Sequence, residues 1–162
     1  NYAATYAVEN PGVLAGLVLI APLWKPAFER PAAPKGLSKF FKKVGNDSPG
    51  STGYTADSLT SAAAQATAWS ASELTHDVIT LRAIEEAERS ASEHLPRVSG
   101  LDLPTLFIHG GADPISDAAQ TRDQSGPTVE VRIIEDQRHH PLHDKKSAEV
   151  RSGIVSWLSG IL

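Results

Sequence analysis

The 162-residue chain has no cysteine and no methionine. Without cysteine there is no disulfide, no thiol nucleophile and no thiolate metal site, although the compartment stays open. The chain opens on Asn1, so with no methionine anywhere it reads as a processed piece or a fragment of a longer product. No signal-peptide pattern is present. No apolar run approaches the roughly 18 residues that suggest a membrane span. Positive charge is not in excess. The net charge is −4, so the basic face of a nucleic-acid binder is missing and nucleic acid is not expected as a partner. What remains, 41% apolar and 21% charged residues, is the composition of one globular domain able to bury a core. There is no internal repeat.

Three segments read as buried strands. Leu14–Pro22 ("LAGLVLIAP") is a continuous apolar run, as expected for a strand covered on both faces. Leu103–Asp113 ("LPTLFIHGGAD") has a proline entry and a Gly-Gly exit. Thr128–Asp136 ("TVEVRIIED") is β-branched and leads into "DQRHHPLHD" at 136–144, where three of the six histidines fall within five positions. Helical patterns separate the strands. "NYAATYAVEN" stops at Asn10-Pro11. Asp117 and Gln120 stand at capping-box spacing before a short helix. Near the C-terminus, Val150, Ile154, Trp157 or Leu158, and Ile161 form one stripe. This alternation is that of a parallel α/β sheet.

Between the first two strands lies a different composition. Residues 25–60 are rich in Pro, Gly, Ser and Lys, and residues 61–94 are rich in Ala and Glu and read as helical, most clearly over 74–95. An insertion of this size between sheet strands reads as a cap over the strand ends. The division is therefore 1–24 core helix and strand, 25–95 cap, and 96–162 C-terminal core. Within the cap, Leu37, Phe40, Phe41 and Val44 follow helical spacing among lysines. That face could touch a lipid surface or pack on its own domain.

Ligands of a parallel sheet bind outside the carboxyl ends of its strands. Asp113 leaves the second strand and His139 the third, so neighbouring strands would put both on one rim. A carboxylate there can fix the imidazole tautomer and stabilise the imidazolium, which is two-thirds of a Ser-His-Asp triad. Other readings compete. Asp113 could be a turn residue, and Asp117 is the rival acid, although its spacing suits a cap. His139, His140 and His143 could bind a metal, but Pro141 opposes the helix that would align them and no His-Glu-x-x-His order exists. His109 suits a packed strand end, and His76 and His94 suit ordinary cap-helix positions. Trp24, Phe28 and Trp69 could line an acyl pocket or belong to the core.

"HGGADP" followed by "RHHPLHD" resembles the closing half of an α/β-hydrolase, more narrowly the monoacylglycerol lipase and lysophospholipase group, also called serine aminopeptidase-like. "YAVENPGVLAGLVLIAP" is similar to a third segment of that group, and together the motifs span nearly the whole chain. The resemblance implies that Asp113 is the triad acid and His139 the base, with His140 second. Leu142 and Asp144 fall in register behind, while His140 and His143 replace the usual Glu and Asn. Asp136 stands where a Gly is common.

The resemblance also implies a nucleophile elbow ending just before Asn1. No Gly-x-Ser-x-Gly occurs in these residues, and "PGSTGY" at 49–54 has the wrong spacing. The expectation is therefore the cap and C-terminal half of a carboxylic ester hydrolase acting on a monoacylglycerol- or lysophospholipid-like substrate. Its serine would come from an N-terminal segment of the same protein outside this chain. This chain alone should be inactive, and no cofactor or metal is called for. Two alternatives stay open, a non-catalytic binding module derived from a hydrolase and an Asp-nucleophile relative such as an epoxide hydrolase.

Overall fold

A computed structural model of the chain describes residues 1–24, 47 and 49–162. The amphipathic stretch at 35–46 and Phe28 lie outside the described residues. In chain order the elements are α1 (Tyr2–Glu9), β1 (Leu17–Ile20), β2 (Pro49–Ser51), α2 (Ala56–Leu59), α3 (Ala63–Ala71), β3 (Val78–Thr80), α4 (Leu81–Val98), β4 (Thr105–Gly110), α5 (Ala118–Arg122), β5 (Val129–Ile134), a 3₁₀ turn (Pro141–His143) and α6 (Ser147–Ile161).

The three apolar runs form one parallel sheet in the order β1-β4-β5. Leu17 pairs with Thr105 and Ile20 with Ile108; on the other side Thr105 pairs with Val129 and Gly110 with Ile134. All six residues of β4 are buried, which is why "TLFIHG" can be apolar on both faces. Alternation divides the side chains between two layers. Leu17, Leu19 and Phe107 pack under α1 and α4, against Ala4, Ala7, Val8, Ala91, Leu95 and Val98. Leu106 and Ile108 face the other way with Val18, Ile20 and Ile134, and are covered by Val150, Ile154 and Trp157 of α6. Fully burying a side chain the size of Phe107 or Leu95 contributes about 1.5–3 kcal/mol.

The helices follow from local chemistry. In α1 the small residues Ala4 and Ala7 are buried at helical spacing, letting α4 approach closely, and the helix stops at Asn10 before Pro11. Asp117 caps α5 by accepting from the Ala119 N–H at 2.9 Å, although Gln120 does not complete a capping box. On α6 Trp157 takes the packed position, while Leu158 points outward.

The cap departs from the sequence reading. Leu74–Thr80 is not helical: Val78–Thr80 forms a strand antiparallel to Pro49–Ser51, tied by the Thr52 N–H to the Asp77 carbonyl at 2.6 Å. His76 therefore lies in the approach to β3, not on a helix. The helix starts only at Leu81, capped by Thr80, whose hydroxyl accepts from the Ala83 N–H at 3.2 Å. It then runs through residue 95 to Val98, so its last two turns belong to the sheet's core. His94 lies on that buried face, its Nδ1 3.2 Å from the Ser90 carbonyl. Trp24 is also a core residue, stacked on Phe107 with ring centroids 6.1 Å apart.

Candidate active site

β4 and β5 end side by side, and the loops that follow meet above them. Gly110 makes the meeting possible. A Cβ there would collide with the main-chain carbonyls of Gln137 and Arg138, so only a residue without one lets the two loops touch. The Gly111 N–H then bonds to Ile134 O at 2.9 Å and the Ala112 N–H to Gln137 O at 3.0 Å. Gly110→Ala is expected to cost about 3 kcal/mol through overpacking that no rotamer change relieves. Urea midpoints would measure it, and a loss under about 0.5 kcal/mol would show that the loops can part freely.

Asp113 sits in the first loop with its side chain fully buried. Its Oδ1 accepts the N–H groups of Ile115 at 2.8 Å and Ser116 at 3.1 Å. Its Oδ2 lies 2.8 Å from His139 Nδ1 and 3.0 Å from His109 Nε2. Burial alone pushes this carboxyl up. Hydrogen bonds from His109 and His139, the charge of His139 and the Ile115 N–H outweigh burial and hold it well below the ordinary carboxylate range.

The second loop turns at Asp136, whose φ of 63° is left-handed. That is the conformation glycine adopts without strain, which accounts for the Gly common at this position in the resembling group. Gln137 follows, buried, and its side chain accepts the Lys146 N–H at 3.2 Å. His139, one residue beyond Arg138, has 20% of its side chain exposed, enough to be reached from outside. With Nδ1–H donated to Asp113, Nε2 keeps its lone pair and has no hydrogen-bond partner among the described residues. His139 opens on a cleft of about 260 Å³ lined also by Thr52, Tyr54, Trp69, His76, Asp77 and His140. Such a pair can take a proton at Nε2 while the carboxylate stabilises the imidazolium.

The structure thus brings Asp113 and His139 together. His140, the alternative, donates its backbone N–H to Leu59 O at 2.8 Å; among the described residues its ring has no bond to Asp113. Burial, with the charges of His139 and His143, pushes the His140 imidazole down, against a smaller pull from Asp113. Its ring centroid stands 5.5 Å from that of His139 and 6.4 Å from that of His143. Among the described residues no group of three or more acidic or histidine side chains is placed to hold a metal. Asp117, the rival acid, caps α5. No described serine hydroxyl bonds to His139.

Asp144, in register behind the base, has partners that the sequence does not relate to it. Asp144 is buried, and its carboxylate accepts the Ser61 N–H at 2.9 Å, the Ser61 hydroxyl at 2.6 Å, the Lys145 N–H at 2.8 Å and the Arg138 N–H at 2.8 Å. Around it the Thr60 hydroxyl donates to His143 O at 2.9 Å, and the Arg138 guanidinium reaches the carbonyls of Asp57 and Thr60. The segment after α2 is thereby fastened to the loop that carries His139. Four donors outweigh burial and hold the Asp144 carboxyl below its ordinary range.

The sequence profile of the serine aminopeptidase, S33, family matches residues 1–146. No curated protein matches the chain. Among solved structures it is similar to a monoacylglycerol lipase from Paleococcus ferrophilus, with a TM-score of 0.81 and 19% identity over 98% of this chain and 64% of that one. It is also similar to a soluble variant of monoglyceride lipase from Saccharomyces cerevisiae in complex with a substrate analog, with a TM-score of 0.77 and 16% identity over 99% of this chain and 58% of that one. A third likeness is to metagenome-derived lipolytic enzymes, with a TM-score of 0.69 and 13% identity over 97% of this chain and 60% of that one. The chain thus spans 58 to 64% of the length of these structures. At such identities the likeness speaks to the fold alone.

Proposed function

Starting from a chain that belongs to the serine aminopeptidase S33 family of α/β-hydrolases, we propose that it supplies the acid and base of a serine ester hydrolase. The observation that carries this reading is the 2.8 Å contact between buried Asp113 Oδ2 and His139 Nδ1, at a cleft that His139 lines, with no partner on Nε2 among the described residues. The serine belongs to a segment of the same protein outside this chain. His139 Nε2 takes the serine proton as Oγ attacks the ester carbonyl, and Asp113 stabilises the imidazolium. The same proton then passes to the departing alcohol. Water, giving a proton to His139 as it attacks, then cleaves the acyl-enzyme. That proton passes to the departing serine Oγ, so that the carboxylic acid is released and the serine hydroxyl and neutral His139 are restored. The substrate class is a monoacylglycerol- or lysophospholipid-like carboxylic ester, a choice supported by the names of the structural relatives. Neither a metal nor a cofactor enters these steps.

The chain alone lacks the nucleophile, and so it neither turns over esters nor reacts with a fluorophosphonate. Intact mass and N-terminal sequencing beside a fluorophosphonate gel test this. Label is expected only on a partner polypeptide bearing Gly-x-Ser-x-Gly, in the presence of this chain. Stoichiometric label on this chain by itself, or an unreactive serine-bearing assembly, would overturn the proposal.

A further inference from the structure

Asp113 Oδ2 receives two imidazoles, and the chemistry proposed above uses only one. His109 approaches from within β4 and is fully buried. Its surroundings decide where its hydrogen sits. Nε2 lies 3.0 Å from Asp113 and 3.2 Å from the Ser116 carbonyl; a carbonyl accepts and never donates, so Nε2 carries a hydrogen. Nδ1 lies 2.8 Å from Thr121 Oγ1. That hydroxyl already accepts from Trp24 Nε1 at 2.8 Å, and an indole N–H is a donor and nothing else. Thr121 is itself fully buried and must place its own hydrogen, for which Nδ1 is the acceptor within reach. The assignment that gives every hydrogen a partner is a neutral His109 with hydrogen on Nε2. Donation then runs one way, from Trp24 through Thr121 and His109 to Asp113, where it meets the donor from His139.

The two backbone N–H groups on Oδ1 fix one oxygen of the carboxylate and leave its plane to be set at the other. We propose that His109 is a positioning residue for the acid–base pair. By donating to Oδ2 it holds Asp113 in the orientation that meets His139 Nδ1, and Thr121 and Trp24 hold His109 in the tautomer that can donate. This role gains its purpose from the hydrolase reading, but the first readout below does not depend on it.

The first readout is the imidazole nitrogen spectrum of the ¹⁵N-labelled chain at neutral pH, which shows which ring nitrogen holds the hydrogen. In the unmodified chain His109 is expected as the Nε2–H form and His139 as the Nδ1–H form. His109→Phe fills the space without a donor, and His139 should then populate both forms. His109→Gln, whose amide can donate to Oδ2, should restore the single form. If the Phe variant does not fold, His109→Leu reads the same point, since it too removes the donor to Oδ2. In the serine-bearing assembly His109→Phe should lower kcat about tenfold, the loss of one charge-assisted hydrogen bond, with KM unchanged. A single Nδ1–H form of His139 in whichever of His109→Phe and His109→Leu folds would mean that the backbone donors suffice, and would overturn the proposal. An assembly that fails to hydrolyse esters would instead count against the hydrolase reading, with the ring spectra unaffected.

Discussion

Replacing His139 with glutamine should lower kcat of the serine-bearing assembly by about 10⁴-fold or more. Glutamine can keep a hydrogen bond to Asp113, so the loop need not move, but its amide cannot take the serine proton. The loss therefore falls on kcat, while KM should change little because the cleft walls stay in place. Fluorophosphonate labelling should slow in parallel, since it depends on the same proton transfer. The neighbouring substitution is the control that makes this specific. His140 has no bond to Asp113 among the described residues, and its backbone N–H, which reaches Leu59 O, survives any side-chain change. His140→Gln should thus leave kcat within about tenfold. Steady-state kinetics of the two variants decide the matter: an inactive His140→Gln beside an active His139→Gln would move the base by one residue.

The second large effect is on stability. Asp144→Ala removes the acceptor for the N–H groups of Ser61, Arg138 and Lys145 and for the Ser61 hydroxyl. Each donor left buried without a partner costs about 1–3 kcal/mol, and some will find water, so the expected loss is about 3–5 kcal/mol near neutral pH. The pH dependence has a definite sign. The folded chain holds this carboxyl below its ordinary range. Its contribution is therefore complete above the unfolded value, about pH 4, and is lost as pH falls through the lower folded value. Urea midpoints of the two proteins should differ by a constant amount from pH 7 to about pH 5 and converge below pH 4. A gap that widened in acid would contradict a depressed folded pKa.

The sheet was legible because its signals are local. Three apolar runs bounded by Pro, Gly and Asn mark the strands, and the strand exits place Asp113 and His139 on one rim. Asp117 as a helix cap and the stripe through Val150, Ile154 and Trp157 are equally local. The cap was harder to read. Leu74–Thr80 carries helical spacing, but the β-branched Val78, Ile79 and Thr80 pair with Pro49–Ser51. Nothing within 74–95 announces a partner so far upstream. Asp144 was placed by its register behind His139, but its partner was not legible, since Ser61 lies 83 positions away. Trp24 could have faced a substrate or the core, and only the position of Phe107 decides between them. The link from Trp24 through Thr121 to His109 likewise joins residues that composition and periodicity cannot relate.

The strand order β1-β4-β5 also sets a timetable for synthesis. Leu17 pairs with Thr105, almost ninety residues later. At ordinary translation rates about 4–18 s pass between the appearance of one strand and that of the other. For that interval Leu17–Ile20 is an apolar segment outside the ribosome without the neighbour it will have in β4, and the whole cap is made before that neighbour arrives. The insertion that shapes the cleft also lengthens the time the nascent chain must be kept from the wrong partner.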